Sequence, residues 1–247
     1  LVALVRALAR HPVDIVNAHS STDAWLSALA CRTLALTGRA TPVLVRTRHV
    51  SVPVPNDVAT RWLYRTATAR VVTTGERLRE QLVRDNGLDP ARVVFAGDSA
   101  GGNLALVTAM RARDEGLPLP AALVLMSPVL DLTFSGPSFA RNDGIDPMFR
   151  AETASRIQDW YAPGLDLADP RISPLFGRAD GLPPTQIHVG SSEILLDDTL
   201  RYAAKAPGAL AAVWHGMPHV FPAIRGLVDG DRAIAEMADF IHAHTSE

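Results

Sequence analysis

The chain has 247 residues, 47% hydrophobic and 20% charged, enough for one large or two small packed domains and unlike a disordered tail. Its 24 Lys and Arg against 26 Asp and Glu leave a net charge of -2, which gives no electrostatic footprint for nucleic acid or an anionic membrane. One cysteine, Cys31, excludes an internal disulfide framework and a cysteine-based zinc site, and no apolar run reaches the roughly 18 residues that span a bilayer.

The first residue is Leu1, not Met, and no signal-peptide pattern follows. The sequence is therefore read as cytoplasmic, and as a fragment or a chain that has lost its true start. Short β-branched runs alternate with helical stretches from end to end. Val13 to Val16 predicts a strand, followed by a helix with Trp25, Leu26, Leu29, Ala30 and Leu34 on one face and Gly38 as its stop. Pro42 to Val45 is a second strand, the segment from Val50 to Asp57 a proline-containing loop, Val58 to Thr66 a helix, and Arg70 to Thr73 a third strand. Thr73 and Glu76 have capping-box spacing before another helix.

The second half keeps the rhythm. Arg92 to Ala96 is a strand, Gly97 to Gly102 a tight small-residue turn, and Leu104 to Met110 a helix apolar on nearly all sides, hence buried. Strands follow at Ala121 to Met126, Thr185 to Val189 and Ala209 to Trp214, with helices at Asp197 to Lys205 and from Asp231, the latter turning Ile234, Met237 and Ile241 inward. Residues 131–184 are rich in Pro, Gly, Asp and aromatics, with a helical patch at Glu152 to Tyr161, and read as an excursion or lid. Strands alternating with helices predict an α/β fold with a mostly parallel, doubly wound sheet and helices on both faces.

The sharpest chemical signal is Gly97-Asp98-Ser99-Ala100-Gly101-Gly102. It fits G-x-S-x-G directly after a predicted strand and before a predicted helix, the setting of a nucleophile elbow. Glycines leave room for strained backbone angles at Ser99, and the N–H of Ala100 at the helix N-terminus can donate to a developing oxyanion. A serine hydroxyl needs a base to take its proton, and a carboxylate to orient that base. His219, in the loop after the Ala209 to Trp214 strand, is favoured as base over His215, over His188 inside a strand, and over His242 and His244 on the terminal helix. For the acid, Glu193 stands first after the preceding strand. Asp198 is the second choice, and Asp197 and Asp198 both suit the N-terminus of the next helix as caps.

From about residue 93 to 247 the sequence resembles hormone-sensitive-lipase-like carboxylesterases of the α/β-hydrolase fold. The likeness rests on Gly97 to Ala105, Ser127-Pro128, Asp169-Pro170-Arg171-Ile172-Ser173-Pro174, Glu193 to Asp198 and Met217-Pro218-His219-Val220-Phe221, in matching order. It implies Ser99 as nucleophile, Glu193 as acid and His219 as base, a small-molecule acyl ester as substrate, and no metal or organic cofactor. It also implies that residues 131–184 form a partial cap over an acyl pocket, with Trp160, Tyr161 and Phe176 as candidate lining.

Two features depart from that family. The family's His-Gly-Gly loop, which completes the oxyanion hole, has no counterpart; the nearest imitation is Ala18-His19-Ser20-Ser21, without glycines. The stretch from Leu200 to Trp214 is compressed, which bears on where His219 sits. Residues 1–92 instead resemble the N-terminal domain of retaining GT-B glycosyltransferases, through Val13 to Asp23, Val45 to His49, Ala69 to Glu76 and Leu88 to Val94. By that likeness His19 is an acceptor-side residue. The reading is thus two segments, 1–92 and 93–247, with a serine carboxylesterase as the function. The alternative is an incomplete glycosyltransferase-like acceptor-binding segment fused to an inactive hydrolase fragment.

Overall fold

The computed structural model describes residues 1–18, 20–48, 54–73 and 89–245. His19, the first half of the Val50 to Asp57 loop and the helix expected after Thr73 lie outside these residues. The chain divides into two compact units, Leu1–Asp89 and Pro90–Glu247.

The first unit runs α1 (Val2–Arg10), β1 (Ile15–Ala18), α2 (Ser21–Leu36), β2 (Val43–Arg48), α3 (Val58–Trp62) and β3 (Arg70–Thr73). Its strands form a parallel sheet in the order β1-β2-β3. Helix α1 was not among the predicted elements. Helix α2 starts where Ser20 caps the Asp23 amide and Asp23 reaches back to the Ser20 amide, a reciprocal capping box. Its buried face is Ala24, Ser27, Ala28, Ala30 and Leu34. Leu26 and Leu29, expected on that face, are exposed, because small residues let α2 lie close against Leu44 and Leu63.

The second unit runs β4 (Val94–Asp98), α4 (Ala100–Asp114), β5 (Ala122–Met126), α5 (Pro137–Arg141), α6 (Ala151–Tyr161), β6 (Thr185–Gly190), α7 (Leu196–Lys205), β7 (Ala209–Trp214) and α8 (Val228–Thr245). The four strands are parallel in the order β4-β5-β6-β7. Strand β5 shows why helices cover both faces. Leu123 and Leu125 pack with Leu106 and Met110 of α4 and Tyr202 of α7, whereas Val124 and Met126 belong with Ala233 and Met237 of α8. Both faces of the strand are apolar, so its sequence shows no alternation.

Two burial expectations need correction. Leu104 is 51% exposed and Ile234 is 49% exposed. Each helix buries a single stripe, Ala105, Leu106, Ala109 and Met110 in α4 and Ala233 and Met237 in α8, and these two residues fall outside it. Residues 131–184 carry α5 and α6; their part up to Ile172 packs as a separate apolar cluster in which Phe149, Ala154, Ala162 and Ile172 meet Ile194 and Leu195, whereas Leu175 joins the core beside α4. The excursion is therefore seated on the loop that follows β6.

Candidate active site

The site lies where parallel strands end, the usual position for reactive groups in such sheets. Ser99 stands between β4 and α4 with φ 51° and ψ -118°, a left-handed backbone that costs a non-glycine residue roughly 1–3 kcal/mol. Its amide donates to the Met126 carbonyl at 2.9 Å, which ties the turn to β5. The glycines around it do different work. A Cβ on Gly97 would lie 2.3 Å from the Gly101 backbone and one on Gly102 would lie 2.8 Å from the Pro128 Cβ, whereas one on Gly101 meets nothing within 4 Å. Ala100 is the first residue of α4, so its amide has no partner within the helix and is available to an incoming oxygen.

Glu193 follows β6 and is fully buried. A carboxylate without solvent must find donors, and Glu193 has them. Its Oε1 accepts the Gly190 amide at 2.5 Å and the Ser127 hydroxyl at 2.9 Å. Its Oε2 lies 2.9 Å from Nδ1 of His219. On the other side of the ring, Nε2 lies 3.0 Å from the Ser99 Oγ. A carboxylate at Nδ1 fixes the proton there, which leaves Nε2 as the acceptor facing the serine. Ser99, His219 and Glu193 thus form one continuous hydrogen-bonded chain, and the compressed segment before Trp214 does not move His219 out of it.

The loop carrying His219 is held by side chains rather than by a sheet ladder. The His219 amide donates to Asp146 Oδ2 at 2.8 Å, and the Val220 amide donates to the Ser127 Oγ at 2.9 Å. Val220 has φ 53°. Phe149 stacks on the His219 ring with centroids 4.9 Å apart. Asn142 donates from Nδ2 to the carbonyls of Ser191 and Glu193 at 3.1 and 2.8 Å. The close approach of the two loops requires Gly190, where a Cβ would lie 2.0 Å from the Met217 carbonyl oxygen.

Sequence reasoning assigned no role to Ser127, Asn142, Asp146, Phe149 or Gly190. Ser127-Pro128 had been visible only as part of a family likeness, and Asn142, Asp146 and Phe149 sit in an irregular segment whose periodicity carries no signal.

The competing candidates are placed elsewhere. Asp198 Oδ2 accepts the amides of Leu130 and Asp131 at 2.8 and 3.0 Å, and burial pushes its carboxyl up to about 7. Asp197 accepts the Ser138 amide at 2.5 Å. Neither caps its own helix, whose N-cap residue Leu195 makes no side-chain cap bond; both reach across to the excursion instead. His215 is exposed. His188 is fully buried, accepts the Trp214 indole N–H at 3.0 Å, and is pushed down to about 4 by burial.

Of the three aromatic candidates, Tyr161 ends α6 and is 56% exposed. The side chain of Trp160 is not among those described. Phe176 is not brought to the site. Lys205 holds the neighbouring carbonyls of Leu175 and Gly177, and Gly177 lies against Met110, about 16 Å along α4 from Ser99. Among the described residues no cluster of His, Cys, Asp or Glu is arranged to hold a metal ion, and no helix is long and apolar enough to cross a membrane.

Comparison with known proteins bears on the whole arrangement. A family model described as the alpha/beta hydrolase fold matches residues 41–223. The chain belongs to that family. This alpha/beta hydrolase is 38% identical over 160 residues to a protein named esterase from Acinetobacter venetianus, covering 62% of the chain and 53% of the relative. It is 35% identical over 178 residues to an acetyl-hydrolase from Streptomyces hygroscopicus, covering 68% and 58%. A solved hormone-sensitive lipase from a metagenome library superimposes with a TM-score of 0.67 at 30% identity, covering 75% of this chain and 70% of that one. The chain spans about half the length of the curated relatives it matches. The hydrolase match begins at residue 41, inside the segment 1–92, and neither the glycosyltransferase resemblance expected there nor the fusion alternative has support from these comparisons.

Proposed function

We propose that this alpha/beta hydrolase is a carboxylesterase that cleaves small acyl esters through a covalent acyl-enzyme. Ser99 is the nucleophile, His219 the general base and Glu193 the orienting acid. The observation that carries the reading is the unbroken chain from Glu193 through His219 to Ser99, with links of 2.9 and 3.0 Å. The esterase and acetyl-hydrolase names of its relatives support the same reading.

In the first half-reaction the Ser99 oxygen attacks the ester carbonyl as its proton passes to Nε2 of His219. Glu193 stabilises the imidazolium from Nδ1. The carbonyl oxygen becomes an oxyanion that accepts the Ala100 N–H at the positive end of α4. The tetrahedral intermediate collapses, and His219 gives its proton to the departing alkoxide. In the second half-reaction His219 takes a proton from water as the water attacks the acyl carbon, then returns it to the Ser99 oxygen as the acyl–oxygen bond breaks, and the acid leaves with Ser99 and neutral His219 restored. Each step uses only these three side chains, the Ala100 N–H and water.

The family's His-Gly-Gly donors have no counterpart in the sequence. Losing one oxyanion donor slows turnover by roughly 100- to 1000-fold, so turnover that relies on the Ala100 N–H alone is expected to be slow. Residues 131–184 are assigned the part of a partial cap. Phe149 is its contact with the base, and Tyr161 a candidate for its substrate side.

The test is covalent labelling by an organophosphonate together with turnover of a short p-nitrophenyl ester. Folded wild-type protein should gain one phosphonyl group, and Ser99→Ala none. Equal labelling of both, or no turnover above the Ser99→Ala control, overturns the proposal.

A further inference from the structure

We propose that the eight-residue segment 142–149 of the excursion is a clamp that sets the position of the catalytic base, with Asp146 as its positioning residue. This inference rests on the esterase reading for its kinetic consequence, although the clamp itself is a matter of geometry.

One short segment touches both loops of the triad. Asn142 at its start holds two carbonyls of the acid loop, at Ser191 and Glu193. Asp146 in its middle accepts the backbone amide of the base itself. Phe149 at its end covers the imidazole face.

The chemistry of Asp146 is unusual for a structural residue. It is fully buried, and among the described residues it forms no ion pair with a basic side chain. Its two oxygens are taken by two amides, Met148 at 2.7 Å on Oδ1 and His219 at 2.8 Å on Oδ2. A buried carboxylate satisfied by amides alone tolerates little displacement, because either bond lost leaves charge without a donor.

Seating of the excursion and seating of His219 are therefore one event. If the segment lifts, the His219 amide loses its acceptor and the ring loses Phe149. The ties left on that loop are the Val220 amide on Ser127, the Glu193 carboxylate on Nδ1, and the bonds of Met217 and Gly216 to the acid loop, none of which holds the His219 backbone itself. Asp146 does not reach the reacting atoms; it acts through the backbone of the residue that does.

The test compares wild type with Asp146→Asn, which keeps the shape but places an NH2 group against one of the two amides. The clamp predicts a fall in kcat of at least tenfold for a p-nitrophenyl ester with KM within about twofold, because the base is displaced while the substrate surface is unchanged. It also predicts loss of the downfield proton resonance of the hydrogen-bonded His219 Nδ1–H. Wild-type kcat in folded Asp146→Asn overturns the clamp and leaves the esterase reading intact.

Hydrogen exchange on wild-type protein serves if the variant does not fold, and it needs no turnover. The amides of His219 and Met148 should exchange slowly and at matched rates, since one carboxylate protects both. Rapid exchange of the His219 amide beside a protected Met148 overturns the clamp. Absence of turnover in wild type with matched exchange rejects the esterase reading alone.

Discussion

Ser99 and Ser127 stand side by side, each one residue past the paired ends of neighbouring parallel strands, where Asp98 is in register with Met126, and they share a left-handed backbone with φ of 51° and 46°. Their hydroxyls have different freedom. Among the described residues, the Ser99 hydroxyl bonds only the imidazole. Ser127 is fully buried, accepts the Val220 amide and donates its one proton to Glu193.

Ser127→Gly separates the turn from the hydroxyl. Glycine takes positive φ without penalty, so the backbone strain is relieved while the bond to the carboxylate is lost. A hydrogen bond to a charged group contributes about 1.5–3 kcal/mol. We expect kcat for an ester to fall about 10- to 100-fold with KM little changed. The melting temperature should move by only a few degrees, as read in a thermal melt run beside steady-state kinetics. If the hydroxyl served only the turn, kcat would be unchanged.

The three residues of the hydrogen-bonded chain should fail together. In the proposed mechanism Ser99→Ala and His219→Ala each remove the means of forming the acyl-enzyme, so the double variant should be no slower than either single one. Glu193→Gln keeps the volume but places an amide where Nδ1–H needs an acceptor, which favours the wrong tautomer. Its expected loss is also at least 100-fold in kcat. Additive losses in the Ser99/His219 double variant, measured by single-turnover ester hydrolysis, would show that the two act apart.

Glycines that look alike in the sequence should respond in opposite ways. In Gly190→Ala the new Cβ would lie 2.0 Å from the Met217 carbonyl oxygen, and backbone at that distance has to move. Both β6 and the base loop are displaced, so we expect a loss of stability of more than about 3 kcal/mol and no esterase activity. Gly101→Ala meets nothing within 4 Å and lies in α4. Replacing a glycine by alanine gains about 0.5–1 kcal/mol in a helix interior and less in the first turn, where Gly101 is the second residue, so this variant should be as stable as wild type or slightly more so. Urea denaturation of the two proteins decides both outcomes.

The parallel α/β character was legible because each βα step leaves a local mark, a β-branched run, a polar turn and a helical stripe. The strained strand-to-helix turn at Ser99, the proposed nucleophile, was legible for the same reason, since it is a contiguous string. Glu193 and His219 were chosen by chain order and by family likeness, and only distance separates Glu193 from Asp198, five residues on. That distance depends on α7 starting at Leu196, which turns Asp198 towards the Leu130 amide. Asn142 and Asp146 were invisible because they act on backbone groups of loops far along the chain, and a backbone partner leaves no trace in its residue type; Phe149 was invisible because its ring contact with His219 joins two irregular segments. The placement of Phe176 misled for a similar reason. An aromatic in an irregular segment shows nothing of which end of a helix its turn is tied to.

Two buried titratable groups in the second unit should give stability opposite slopes with pH. Burial pushes Asp198 up to about 7 from an ordinary 3.8, so the folded chain holds a proton there that the unfolded chain releases. Its contribution is fully present below about pH 4 and is lost as pH rises towards 7, up to about 4 kcal/mol. Burial pushes His188 down to about 4 from 6.5, so the unfolded chain binds the proton first. Its contribution is present above about pH 6.5 and is lost as pH falls through 4, up to about 3 kcal/mol. Between pH 4 and 6.5 the two nearly cancel in wild type. Asp198→Asn keeps an oxygen for the Leu130 and Asp131 amides and removes the ionisation. Its unfolding free energy, from urea titrations at half-unit steps, should therefore climb between pH 4.5 and 6.5 and then level off. A profile for the variant that runs parallel to wild type would show that Asp198 is ionised in the folded chain throughout this range.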